Sequence, residues 1–212
     1  MPKPMFVWSG SAWVSVATEV ESLANFATQS YADNTPGLRM VVPTSVAVGS
    51  GTGSIATQGT VTFSGASSVS LNGCFSSTYD NYRILFFGTL STGSNQTLRL
   101  RASGTDNSGA TSYRSQQGTF GGGTAAAKRN DTSAFNLNYD SGGSEPPYYA
   151  IDIFRPNSTD SVKVISGMGY KSAQTDFTSG ALTSSTQFDG FSLITSTGTM
   201  SGTVRVYGYK NG

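Results

Sequence analysis

The 212-residue chain sets thirteen Lys and Arg against twelve Asp and Glu, a net charge of +1 without a block of like charges, so a nucleic-acid or other polyanion-binding surface is not expected. It has no histidine and one cysteine, Cys74, which excludes an intramolecular disulfide, a Cys/His zinc site and a CxxC redox pair and removes the commonest general base. Twenty-six glycines among abundant Ser and Thr, with Lys and Glu scarce, predict strands and turns in place of helices.

The opening run MPKPMFVWSGSAW lacks the apolar segment of a signal peptide, and no window approaches 18 apolar residues, so a soluble product without membrane insertion is expected. Residues 6–14, FVWSGSAWV, place two apolar triplets around Ser9-Gly10-Ser11 and predict a small hairpin carrying Trp8 and Trp13. Two Trp in so small an element need a covering surface, and aromatic anchors are favoured at interface centres. Trp8 and Trp13 are therefore the candidate attachment residues.

The stretch VATEVESLANFATQSYADNTPG carries the one clear helix signal. Thr18 and Glu21 have capping-box spacing, Asn34-Thr35-Pro36-Gly37 supplies a stop, and Val20, Leu23, Ala24, Ala27 and Tyr31 fall on one face. A helix of about four turns is marginal alone. Val20, Leu23 and Ala27 also fit the spacing of a coiled-coil seam, which makes them candidate oligomer-interface residues, while packing of the helix on its own domain stays open. Residues 1–36 are thus expected to hold an attachment hairpin and an oligomerisation helix, and residues 37–58 are expected to be a connector because LRMVVPTSVAVGSGTGSIATQGT passes from an apolar run into Gly, Ser and Thr.

Residues 59–212 alternate short strand-like runs with turn clusters. Nine strands are predicted, in TVTF, VSLNG, YRILFFGTL, TLRLRA, FNLNY, YYAIDIF, SVKVISG, FSLIT and TVRVYGY, and their spacing favours a mainly β fold, an antiparallel sandwich of jelly-roll type. In TLRLRA, Leu98, Leu100 and Ala102 face one way and Arg99 and Arg101 the other. RILFFGTL is apolar on both faces, which predicts a strand buried on two sides, with another subunit against it or in the middle of the sandwich. Between two strands, FSSTYDNYRI reads as a corner, with Tyr82 buried and Ile84 and Phe86 continuing its inward alternation, while a sugar-binding loop with Tyr79 and Tyr82 exposed side by side and an intersubunit contact stay open.

Motifs with chemical content are few. VAVGSGTGSIA contains a G-x-G-x-x-A, but a strand follows it where a dinucleotide site needs a helix N-terminus. GMGYKS lacks the adjacent Gly-Lys of a phosphate loop, and no cofactor is expected. Asp80, Asp152, Asp176 and Asp189 are carboxylates from which a glycosidase would need one pair, and Asp106-Asn107 and Asp131 are turn residues able to join a calcium site. Neither an enzyme nor a metal centre is expected. Tyr113 in the Gly/Ser-rich stretch from residue 103 to 124, and Tyr148-Tyr149 after two prolines, are candidate exposed loop aromatics and so candidate glycan contacts, with half-buried Tyr at a strand edge as the commoner alternative.

VWSGSAWV near the start, LNGCFSSTYDNYRI and LRLRASGTDNSGA in the middle, and STGTMSGTVRVYGYKNG at the end make the chain resemble small fibre and minor tail proteins of tailed bacteriophages. The resemblance implies a homotrimer located in the virion, held to other virion proteins of tail or capsid by its N-terminal segment. It also implies a C-terminal β-sandwich facing the host surface, where a glycan is the candidate ligand. A collar or capsid-decorating protein without a ligand, and a glycan-degrading spike, remain open alternatives at this level.

Overall fold

The computed structural model describes residues 6–15, 36–92, 94–109, 112–121, 124–137, 147–171 and 174–210. Two compact units are distinguished, residues 1–37 with 210–212, and Leu38–Tyr209. In the first, β1 (Phe6–Trp8) pairs antiparallel with β2 (Trp13–Ser15), bringing Trp8 opposite Trp13 with ring centroids 5.5 Å apart. The Ser9 hydroxyl closes the turn by donating to the Ala12 carbonyl and accepting the Ala12 N–H. The hairpin expected from FVWSGSAWV is present. The predicted helix, with Val20, Leu23 and Ala27, lies outside the described residues.

The remaining strands, in chain order, are β3 (Gly37–Val41), β4 (Ser45–Val48), β5 (Thr52–Ile55), β6 (Val61–Ala66), β7 (Ser68–Asn72), β8 (Asn81–Leu90), β9 (Gln96–Ala102) and β10 (Thr105–Asp106). They continue with β11 (Tyr113–Gly121), β12 (Thr124–Thr132), β13 (Phe135–Asn136), β14 (Tyr148–Phe154), β15 (Val162–Lys171), β16 (Gln174–Thr183), β17 (Gly190–Thr195) and β18 (Met200–Lys210). A smaller sheet has the order β10-β9-β17-β7-β4, with β13 also beside β9. A larger one runs β12-β11-β16-β15-β14-β8-β18-β6-β5, with β3 beside β18. Among the described residues the fold is an all-β antiparallel two-sheet sandwich.

Alternation explains how the sheets meet. Tyr82, Ile84 and Phe86 of β8, Ile151 and Ile153 of β14 and Val204 and Val206 of β18 are buried from the larger sheet. Against them lie Val69 and Leu71 of β7, Leu98 and Leu100 of β9 and Phe191 and Leu193 of β17. The alternation read in TLRLRA holds: Leu98 and Leu100 enter the core, while Arg101 turns outward onto Asn72, Ser70, Ser192 and Asp106.

Three expectations are corrected. Residues 37–58 are not a connector but supply β3, β4 and β5, which pair with β18, β7 and β6. In β4 and β5 the Ser, Ala, Thr and Gly residues conceal the alternation, and the turn at Gly51 (φ +72°) brings the backbone so close to Ser64 that a Cβ would lie 1.9 Å from its carbonyl oxygen. RILFFGTL does not lie in the middle of the sandwich, buried on both sides within one chain: β8 alternates buried and open positions, and Phe87 is 47% exposed, which leaves the alternative of another subunit against it. The Gly/Ser-rich stretch that reads as a loop contains β11, paired to β12 over its whole length and to β16 from Tyr113 to Phe120. Its inward residues Ser115 and Gln117 are polar, so no apolar alternation marks the strand.

FSSTYDNYRI is a corner. Tyr82 is fully buried, and its hydroxyl accepts the Ser76 N–H at 2.8 Å and donates to the Ser76 carbonyl at 2.9 Å. Phase continuity from Tyr82 through Ile84 to Phe86 holds as expected. Tyr79 packs edge-on against Tyr82 in space left by Gly208, where a Cβ would meet the Tyr79 ring at 2.1 Å.

Candidate association surface

Among the described residues, the outward face of the larger sheet gathers large exposed apolar side chains. Register aligns its side chains in rows across six strands. One row reads Thr203, Phe87, Tyr148, Tyr170, Thr175, Phe120, and the next Arg205, Leu85, Ala150, Met168, Phe177, Gly118. Phe87 and Tyr148 touch with centroids 4.6 Å apart, and Phe120 and Phe177 meet edge to face at 5.7 Å. Phe87, Phe120, Tyr148, Met168, Tyr170 and Phe177 are all more than 40% exposed. Between the two rows opens a groove of about 470 Å³, floored by aromatic rings and Met168 and flanked by Arg205. A sheet that is apolar on its solvent side departs from the inward-apolar, outward-polar pattern of a half-buried antiparallel sheet.

The third row is polar: Tyr207, Arg83, Asp152, Ser166, Ser179, Gln116. Arg83 clamps Asp152 bidentately, Nε to Oδ1 at 2.8 Å and Nη2 to Oδ2 at 2.7 Å, and the Tyr209 hydroxyl donates to Oδ1 at 2.5 Å. Burial works to raise the Asp152 carboxyl, but the bonds from Arg83 and Tyr209 outweigh it and hold the group below its ordinary value of 3.8. A carboxylate depressed in the folded chain lends stability above its unfolded pKa and loses it as pH falls through the folded one. We expect wild-type stability to drop as pH falls below about 4 and Asp152→Asn to flatten that drop. The difference should be about 1 kcal/mol or less, because solvent reaches Arg83; urea titrations between about pH 5 and pH 2 measure it, and equal slopes for both proteins would refute the role given to the pair. A fourth row returns to apolar residues, with Phe154 opposite Val164 and Val164 opposite Ala181.

Of the candidate glycan contacts, only Tyr148 is exposed. Tyr113 is fully buried on β11, where its hydroxyl accepts the Leu100 N–H at 3.1 Å and donates to the Asn107 carbonyl at 2.8 Å. Tyr149 alternates inward on β14, and its hydroxyl donates to Gln96 Oε1 at 2.7 Å. Both are therefore core residues, not loop aromatics: each lies on a strand, and each hydroxyl is satisfied inside the protein. Trp8 and Trp13 are exposed on their hairpin.

The carboxylates are dispersed. Asp152 faces outward in its ion pair, Asp176 is buried on the opposite face of the same sheet, and Asp80 is exposed in the corner. Asp106 is engaged by Arg101 and Ser192. Among the described residues no group of three or more His, Cys, Asp or Glu converges. Burial, with Asp189 adding, pushes the Cys74 thiol far up, which suits a packing residue and not a nucleophile.

Phe87, Met168, Tyr170, Phe177 and Phe120 are absent from the residues picked out by sequence. RILFFGTL carries the one local signal, two-sided apolarity; the others sit in the polar-looking runs GMGYKS, TDFTSG and GTFG, and only strand pairing brings them together.

No protein-family model and no curated protein matches the chain. Among solved structures it is similar to a protein of unknown function from Shewanella oneidensis, at 8% identity over 81% of this chain and 78% of that one, with a TM-score of 0.23. It is also similar to the β-glucanase of Bacillus licheniformis, at 12% identity over 84% of this chain and 93% of that one, with a TM-score of 0.25. Neither superposition is close enough to transfer a residue or a role.

Proposed function

We propose that the chain is a structural appendage protein of a bacteriophage particle, of the tail-fibre or receptor-binding type. It is a homotrimer in the virion, tied to other virion proteins through Trp8 and Trp13 on the N-terminal hairpin. Its sandwich, a jelly roll in which successive strands such as β6 to β9 change sheets, is presented to the host surface. The observation that carries this reading is the aromatic, uncovered outer face of the larger sheet, which calls for a protein neighbour, as a subunit of a multi-chain appendage has. The bacteriophage setting comes from the sequence resemblance. No catalytic step is assigned.

A decoration or collar protein without a ligand is the second reading. Its support is the groove itself, whose lining offers Arg205, Thr175 and Thr203 as polar side chains besides the Tyr hydroxyls and so has little with which to bond sugar hydroxyls. Purified particles of the virus that encodes the chain, labelled with antibody to the sandwich and viewed by electron microscopy, test both. Label on a tail appendage supports the first reading, label on the capsid or collar the second, and particles free of the protein overturn both. Particles formed with a chain beginning at Gly37 should lack it; full occupancy would move attachment away from Trp8 and Trp13.

A further inference from the structure

We infer that the outer face of the larger sheet is a self-association surface whose occupant is a second copy of this chain. The inference rests on the appendage reading for the presence of several copies, but its location, on the sandwich and not on the N-terminal segment, comes from the sheet itself.

Area favours this occupant. An aromatic side chain buries about 150–250 Å² when covered. Phe87, Tyr148, Met168, Tyr170, Phe177 and Phe120 are each about half exposed, and Phe154 and Val164 extend the same face, so together they show on the order of 800 Å². That is about the share each partner contributes to a standard stable interface, and the contiguous part, the first two rows at about 600 Å², already stands at the top of the roughly 300–600 Å² of the largest apolar patch on an ordinary monomer. A small ligand in the groove would cover the two middle rows and leave Phe154 and Val164 in water. The same faces of neighbouring copies, meeting around the axis of a trimer, would cover all of them.

Charge agrees. The one acidic group in the three central rows, Asp152, is already neutralised by Arg83, so the polar band can be covered without stranding a carboxylate. A chain of net charge +1 brings little repulsion to a copy of itself. Composition agrees as well, since aromatic residues, Met and Arg are the types enriched in protein interfaces.

Met168 reports on the surface directly. It is 52% exposed on this face, while Met200 is buried in the core and serves as the protected standard. The full chain would be weighed by light scattering at micromolar concentration and oxidised with dilute hydrogen peroxide. Sulfoxide at each methionine would be followed by peptide mass spectrometry, with the urea-unfolded chain as reference. The expected result is a multi-chain mass with Met168 oxidised at least tenfold more slowly than in the unfolded chain, near the rate of Met200. Met168→Arg, at a position that points away from the core, should keep the far-ultraviolet circular dichroism of the folded sandwich and lower the mass towards one chain, with a lower thermal midpoint as the association that stabilises the folded chain is lost. A multi-chain mass with Met168 oxidised at the unfolded rate would overturn the inference and leave the appendage reading standing, with assembly elsewhere. A single-chain mass would overturn the inference together with the trimer; if Met168 were nevertheless protected, the occupant would be another segment of the same chain, such as residues 1–36.

Discussion

Replacing Tyr82 with Ala should destabilise the sandwich by about 3–5 kcal/mol, the cost of removing a large aromatic side chain from a packed core. The ring is fully buried, 4.8 Å by centroid from Phe75 and 5.9 Å from Tyr79, and Phe75 in turn stacks on Phe191 of the smaller sheet. One side chain thus bonds the corner through Ser76 and joins the two sheets through Phe75. Tyr82→Phe separates these roles: it keeps the ring and removes the hydroxyl, leaving the Ser76 N–H and carbonyl without their partner at a cost of about 1–3 kcal/mol. Thermal unfolding would show the alanine variant melting about 10 °C lower, the shift such a loss produces in a domain of this size. An alanine variant that melted like wild type while losing adsorption to host cells would turn the corner back into a binding loop.

What made Tyr82 legible was phase: Ile84 and Phe86 follow it at steps of two, and a residue on the same face of a strand shares its environment. The same reasoning placed Leu98 and Leu100 correctly. It failed where inward residues are polar. Ser115, Gln117, Asp176 and Thr178 are all buried, so along β11 and β16 the pattern of hydrophobicity does not repeat at two, and Gly and Ser read as loop. The connector failed for a related reason, since Ser45–Val48 and Thr52–Ile55 are too short and too small in side chain to stand out from turn composition. The association surface was less legible still. Phe87, Tyr148 and Tyr170 are far apart in the chain and become neighbours only through the registers of β8, β14 and β15. A single sequence shows which residues a strand holds but not which strand lies beside it.

Tyr113 is the companion case, and its alanine variant should also cost about 3–5 kcal/mol. It reads in sequence as an exposed loop aromatic, yet its ring packs edge-on against Phe135 at 4.7 Å, and its hydroxyl bridges the Leu100 N–H and the Asn107 carbonyl, tying β11 of the larger sheet to β9 of the smaller. Burial pushes its phenol from 10.0 up to about 12, against a smaller opposing effect from the Leu100 N–H. A phenol that holds its proton more tightly in the folded chain lends stability that is complete below its unfolded pKa and is lost as pH rises through the folded one. The window therefore runs from pH 10 to about 12. Burial shifts Tyr149 in the same direction, with Asp176 adding, so the wild-type loss has more than one contributor. Tyr113→Phe should keep the ring contact, cost about 1–3 kcal/mol at neutral pH through the partner taken from Leu100, and lose less stability than wild type as the solution is made alkaline. Urea melts at neutral pH and at about pH 11 measure both effects. An alkaline loss equal to that of wild type would mean that the Tyr113 phenol is not what ionises in that window, and a Tyr113→Ala variant as stable as wild type would return the residue to an open loop.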